Sequence, residues 1–223
     1  MSILGLYIIE KDQIRENLNK YTRKAFGFIP KIKNPCILDV GCGSGVPTIE
    51  LANISGGHVT GIDIDETALV LLNRKIQQMG LNDRVTVVKS SIRNMDFSEG
   101  SFDIIWAEGS LFVIGFENSI KNWCRFLKQN GFLVIHDENK DKNKKLGFIK
   151  KYGYRLIFEF ELTEKTWWYE YYTPLESLIK KFRSNYLDDL ELINELDKDQ
   201  REIDKCKSNS IVFSSFFVIM QKN

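Results

Sequence analysis

Short apolar runs alternate with longer amphipathic stretches along most of this chain. Runs near 36–40, 58–62, 84–89, 103–107 and 131–136 are β-branched and apolar enough for strands buried on both faces. Segments near 46–54, 66–79 and 117–129 carry apolar residues at helical spacing. That alternation predicts an α/β fold with an open, mostly parallel sheet, helices on both faces and right-handed crossovers. Gly80 and Asn130-Gly131 stand where the second and third of these helices need a left-handed stop. About Ile8 to Phe26 reads as one or two helices ahead of the first strand, closed by Gly27 and Pro30. Beyond Asp137, Lys142 to Lys151 reads as a helix packed on the sheet, Tyr154 to Phe160 as a strand, and Ile211 to Met220 as the last strand.

Roughly Thr163 to Asn209 separates the last two strands, far too long for a plain hairpin loop, so it must carry structure of its own. Thr173-Pro174-Leu175-Glu176 has capping-box form with proline at the first helical position. A second helix is expected from about Leu187 to Cys206, with Leu190, Ile193, Leu196 and Ile203 on its apolar face. The expected organisation is one domain over 1–223, with an N-terminal helical cap over 1–35 and a helical lid inserted at 163–209. The lid contains Trp167-Trp168-Tyr169-Glu170-Tyr171-Tyr172, the densest aromatic cluster of the chain. In an extended segment, alternation would put Trp167, Tyr169 and Tyr171 on one face and Trp168, Glu170 and Tyr172 on the other. Aromatic walls suit a flat apolar molecule, or an amine held by cation–π contact with Glu170 assisting. The competing use of one such face is packing on the sheet edge or on a partner subunit.

The strongest chemical signal is Ile37-Leu38-Asp39-Val40-Gly41-Cys42-Gly43-Ser44-Gly45, followed by a helix start at Val46-Pro47-Thr48. A buried strand, a turn almost without side chains and a helix N-terminus together let a ligand approach the main chain and offer N–H groups to a negative group. The dinucleotide fingerprint Gly-x-Gly-x-x-Gly requires a third glycine where this chain has Val46, which argues against a nicotinamide oxidoreductase. Val59-Thr60-Gly61-Ile62-Asp63-Ile64 reads as a second strand ending in an acid placed for two ribose hydroxyls, while Asp65 is better placed to cap the next helix.

The form Asp-x-Gly-x-Gly-x-Gly, with the acid ending the next strand, resembles the first motifs of class I S-adenosylmethionine-dependent methyltransferases. The resemblance covers the chain from about Cys36 to the end, apart from the lid. It implies a Rossmann-like seven-stranded sheet, mostly parallel, with an antiparallel last strand between the fifth and sixth. It also implies S-adenosyl-L-methionine as cofactor. By that likeness Asp39, Gly41, Cys42, Gly43, Gly45, Asp63, Ile64, Ser91, Ile92 and Ala107 are the cofactor-binding residues: Asp39 toward the methionine end, Asp63 on the ribose, Ala107 beside the methionine portion. The family usually has an acid for the adenine amino group after the third strand. Here Ser91 takes that place, with the N–H of Ile92 available to the ring.

Methyl transfer from a sulfonium is an in-line displacement, so the protein must align the reactants, exclude water and manage the acceptor's proton. Glu108, after the fourth strand, is the leading candidate for acceptor binding or proton acceptance; its competing role is capping a helix or pairing with a lysine. His136, closing the fifth strand, is a second candidate base, or a satisfied side chain at a strand end. Trp167, Trp168, Tyr169 and Tyr171 join Glu108 as candidate substrate contacts.

Composition narrows the partners. With 31 basic and 30 acidic residues, there is no electrostatic case for nucleic acid. The lysine run from Lys140 to Lys151 reads as a solvated helix face. Cys36, Cys42, Cys124 and Cys206 have neither metal nor disulfide spacing, so no metal is expected, and Cys36 and Cys42, flanking the first strand, read as small buried residues. No stretch reaches the roughly 18 apolar residues of a membrane span, and the apolar N-terminus lacks a basic start and a cleavage site. The expected protein is a cytoplasmic enzyme with a small-molecule acceptor, compatible with a homodimer. The alternative is a non-catalytic S-adenosylmethionine-binding regulator or subunit of the same fold.

Overall fold

The computed structural model describes residues 2–208 and 213–223. The chain opens with α1 (Ile3–Glu16) and α2 (Asn19–Phe26), then alternates: β1 (Cys36–Val40), α3 (Val46–Ser55), β2 (His58–Asp63), α4 (Glu66–Gln78), β3 (Val85–Lys89). β4 (Phe102–Glu108), α5 (Phe116–Trp123), β5 (Leu127–Glu138), α6 (Lys142–Lys151) and β6 (Tyr154–Leu162) follow. α7 (Glu164–Trp167) runs into a π-helical turn at Trp168–Tyr172, α8 (Thr173–Asn185) and α9 (Leu190–Ser208), and β7 (Ser215–Lys222) ends the chain. Two compact units result: residues 20–160 with 216–223, and residues 2–19 with the segment from 161 to 215.

The sheet has seven strands in the order β3-β2-β1-β4-β5-β7-β6, with β7 antiparallel as the resemblance implied. β1 pairs in parallel with β2 on one side and β4 on the other, so the chain reverses its direction of winding there. Such a switch point opens a crevice at the carboxyl ends of the two strands. Leu38, Val40, Ile62, Ile105, Leu133, Ile135, Phe216 and Val218 form the centre of one core and hold that edge rigid. Asp65 caps α4 as expected, its carboxylate accepting from the N–H groups of Thr67 and Ala68, and Gly80 takes the left-handed stop.

The third sheet helix departs from its expected course. It stops at Trp123, a 3₁₀ turn follows at 124–126, and β5 already begins at Leu127. Leu127 pairs with Phe102, whereas Ile104 pairs with Phe132, so the strand bulges around Asn130, whose φ is 62°. Asn130 thus closes a bulge inside β5 rather than a helix, and Gly131 is not left-handed. The last strand begins at Ser215 rather than Ile211; Ile211 and Val212, like Asn209 at the end of the expected lid, lie outside the described residues.

The helical unit has its own core, built on Tyr7, Leu175, Ile179, Phe182, Leu192, Leu196 and Ile203. Its aromatic cluster is helical, not extended, so alternation does not apply: Trp167 packs on both Tyr171 and Tyr172, while Tyr169 points away and is 70% exposed. The apolar stripe of α9 runs through Leu192, Leu196, Asp199, Ile203 and Cys206. Leu190 is 75% exposed, outside that stripe. The stripe was shifted in the sequence reading because one of its buried members is an acid: Asp199 accepts from the Tyr7 hydroxyl at 2.6 Å and from Lys11 at 2.7 Å.

Candidate functional site

Three glycines shape the turn after β1, each with a different task. Gly41 and Gly45 have φ of +76° and +89°, and a Cβ on them would overlap Ser110 and Leu72 respectively, so they let neighbouring segments close in. Gly43 is also left-handed, at +52°, but nothing lies within 4 Å of where its Cβ would stand. The N–H groups of Gly41 and Cys42 both donate to the Ile62 carbonyl at 2.9 Å, which ties the turn to β2. Cys42 is buried against Gly61, and burial pushes its thiol pKa up. Gly43 is therefore the one glycine of the turn that meets open space.

Asp63 locks this arrangement. One carboxylate oxygen accepts from Gly43 N–H at 2.8 Å; the other accepts from Ile64 N–H at 2.7 Å and Asp65 N–H at 3.0 Å. Beside it the Ile64 side chain is 70% exposed, a bare aliphatic surface at the strand edge. Asp39 lies deeper, buried, with its carboxylate accepting from Thr48 Oγ1 at 2.6 Å. Burial, opposed by that hydrogen bond and reinforced by the charges of Glu108 and Asp63, raises its pKa to about 7. Three carboxylates thus gather near one edge of the sheet.

After β3, Ser91 and Ile92 are half-buried, and the Ser91 hydroxyl accepts from the Arg93 N–H at 3.3 Å, closing a local turn. At the end of β4, Glu108 Oε1 accepts from both Thr22 Oγ1 and Trp106 Nε1 at 2.8 Å. The threonine comes from α2, a partner no local motif could signal. Ala107 is wholly buried in the core and offers no surface of its own. His136 is 4% exposed and lies face to face with Phe217, ring centroids 4.3 Å apart. The imidazole is held in the packing at the strand end, in register with Glu108 across β4 and β5.

In the helical unit, Trp167 Nε1 donates to Ser215 Oγ at 2.8 Å, and Tyr171 is half-buried among rings, its pKa raised to about 12 by desolvation. Trp168 and Tyr169 line a cavity of about 290 Å³ with Cys206 and Lys207. Of the lysine run, Lys151 pairs with Glu117 at the surface, whereas Lys142 and Lys145 are half-buried and pair with Glu159 and Asp137, so only part of this face is solvated. Cys36 is exposed, against expectation, and Cys42 is buried as expected; Cys124 is half-buried, Cys206 is buried, and all four are free thiols. Among the described residues no cluster could hold a metal, and no helix is long and apolar enough to cross a membrane.

Residues 37–131 match a family model described as a methyltransferase domain. The 27-O-demethylrifamycin SV methyltransferase of Amycolatopsis mediterranei is 28% identical over 134 residues, 60% of this chain and 49% of that protein. The chain spans about half the length, or less, of the curated relatives it matches. A methyltransferase from Geobacter sulfurreducens, solved with S-adenosyl-L-homocysteine, superposes with a TM-score of 0.72 at 14% identity, over 93% of this chain and 91% of that one. The [4+2]-cyclase SpnF superposes at 0.74 and 15% identity, over 91% and 80%. At such identities the two structures establish the fold alone, and the second shows a differently named activity carried on it. Over residues 37–131 the chain is similar to the methyltransferase-domain family, and its fold is the one these solved structures share.

Proposed function

We propose that this protein is a cytoplasmic S-adenosylmethionine-dependent methyltransferase that acts on a small-molecule acceptor by in-line transfer. The observation that carries the reading is the open, left-handed position of Gly43 beside the Asp63 carboxylate and the bare Ile64 side chain. A cradle that any Cβ would begin to fill, an acid for a sugar diol and an aliphatic surface for a purine fit the cofactor. Ser91 and the N–H of Ile92 would bound the adenine, Asp39 the methionine end, and Gly41, Cys42, Gly45 and Ala107 support the turn from within. The cofactor supplies an electrophilic methyl group on a sulfonium. Glu108, aligned by Thr22 and Trp106, binds the acceptor or takes its proton. Trp167, Trp168, Tyr169 and Tyr171 are the proposed aromatic contacts for the acceptor, in keeping with a relative named for a small-molecule product. The domain reading over 1–223, with accessory helical segments at 1–35 and 163–209, and a homodimer without nucleic-acid or membrane partners, belong to the same proposal.

A second reading, a non-catalytic binder of the nucleoside, is favoured by Ser91, whose hydroxyl is engaged by its own turn where the family carries an acid. Calorimetry with S-adenosylmethionine and S-adenosylhomocysteine, followed by a methyl-release assay over a panel of acceptors, separates the two. Binding with turnover that Glu108→Gln lowers more than it lowers donor affinity supports the first. Binding without turnover on any acceptor supports the second, and absence of binding overturns both.

A further inference from the structure

Sharing only Ile92 with the residues proposed for the cofactor, a cavity of about 490 Å³ lies in the sheet unit between the loop after β3 and α5. Its polar lining consists of Arg93, Lys121, Arg125, Asn118, Asn122 and Trp123, with no acid among the lining residues. None of the three cations is paired with a carboxylate among the described residues. The Arg93 guanidinium donates to the Val113 carbonyl at 2.6 Å, and Arg125 rests 4.6 Å from the centroid of the Phe126 ring, so neither of these contacts is with an acid. The chain as a whole carries a formal charge of only +1, so three unneutralised cations around one concavity are a local concentration. A second, independent observation lies in the wall. Trp123 is 1% exposed, and its indole N–H has no hydrogen-bond partner among the described residues. Buried donors are ordinarily satisfied, and an unsatisfied one costs about 1–3 kcal/mol.

We infer that this cavity is a binding site for a small organic phosphate, separate from the proposed cofactor cradle and touching it only through Ile92. Several cations in a concave, partly apolar wall suit a multiply charged phosphate with a carbon body better than a lone carboxylate. Arg93 and Arg125 offer planar donor forks, Lys121 a mobile charge, and the side-chain amides further hydrogen-bonding groups. Ile92 and Phe126 supply an apolar surface for the ester's body. A cavity of about 490 Å³ suits a small molecule better than the backbone of a nucleic acid, for which the balanced net charge gives no case.

Titration calorimetry of the full chain at low ionic strength, with phenyl phosphate and inorganic pyrophosphate as probes, tests the site. Sub-millimolar binding of phenyl phosphate is expected. Lys121→Glu combined with Arg125→Glu should weaken it about tenfold or more, because two attractive charges become repulsive. Trp123→Phe, which keeps the ring and removes the N–H, should weaken it severalfold. Both charge-reversed positions are exposed, so the variant should keep its melting temperature and its affinity for S-adenosylhomocysteine. Loss of that affinity in the unaltered protein would count against the cofactor proposal and leave the phosphate measurement to stand by itself. No binding of either phosphate overturns the inference, as does equal binding by the charge-reversed variant. An oligonucleotide that competes with phenyl phosphate more strongly than pyrophosphate does also overturns the small-ligand assignment.

Discussion

Asp63 and Asp199 are both acids that accept two or more hydrogen bonds, yet they sit in opposite kinds of environment. Asp63 takes its partners from the end of its own strand and from Gly43, 20 residues away on the neighbouring turn. All three donors are backbone N–H groups at a half-buried edge. Asp199 is 3% exposed, and its partners Lys11 and Tyr7 lie 188 and 192 residues away. The first acid holds the turn at the open Gly43 position; the second joins α1 to α9 inside a helical core. Position relative to a rigid sheet edge, rather than the number of hydrogen bonds, distinguishes a site from a structural tie.

The sharpest break in that comparison lies within the glycine turn itself. Gly45→Val should destabilise the protein by roughly 3–5 kcal/mol, since a side chain there combines left-handed strain with overlap on Leu72. Gly43→Val carries the backbone strain without the overlap, so it should stay folded and lose measurable donor binding. Urea denaturation and calorimetry on the two variants check this; equal melting behaviour would mean the two glycines do not divide packing from ligand space.

Next in size is the helical tie. Asp199→Ala leaves the Tyr7 hydroxyl and the Lys11 ammonium without their buried acceptor and should cost about 2–4 kcal/mol in unfolding free energy. Smaller again, Asp63→Ala should lower donor affinity by about 1–3 kcal/mol while shifting the unfolding midpoint little, because its backbone partners can turn to water. Asp63→Asn, which keeps an oxygen for the Gly43 N–H, should recover part of the loss. A stability change at Asp63 as large as that at Asp199 would erase the distinction between the two acids.

Most of the sheet was legible in the sequence because its determinants are local: apolar runs of strand length, glycine stops, and an Asp65 cap read from adjacent residues. The turn at 41–45 was legible for the same reason, although which glycine faces open space depends on Leu72 and Ser110, far along the chain. Errors fell where distant partners decide. Leu127 is drawn into β5 by pairing with Phe102. The cluster at Trp167–Tyr172 adopts helical form under the packing of Trp167 and Tyr172, and α9 hides an acid in its apolar stripe. Thr22 on Glu108 and Phe217 on His136 are partners supplied by other elements, which no local motif signals.

The smallest predicted effect is also the most discriminating, because one residue should push two measurements in opposite directions. Asp39 has its pKa raised to about 7 by burial, so the folded chain keeps a proton that the unfolded chain has already lost between its ordinary carboxyl value and neutrality. Its contribution to stability is therefore full below the unfolded pKa and is lost as pH rises through about 7. A cationic donor placed near Asp39 favours the ionised form instead. Donor binding below pH 7 must then release a proton, and affinity should rise by up to about tenfold from pH 6 to 8 before levelling off, equivalent to roughly 1.4 kcal/mol. Calorimetry in buffers of different ionisation enthalpy would register that proton, and Asp39→Asn should abolish both the release and the slope. Donor affinity that is flat with pH in the unaltered chain would place the cationic end of the cofactor away from Asp39, leaving its burial to the packing of Thr48 alone.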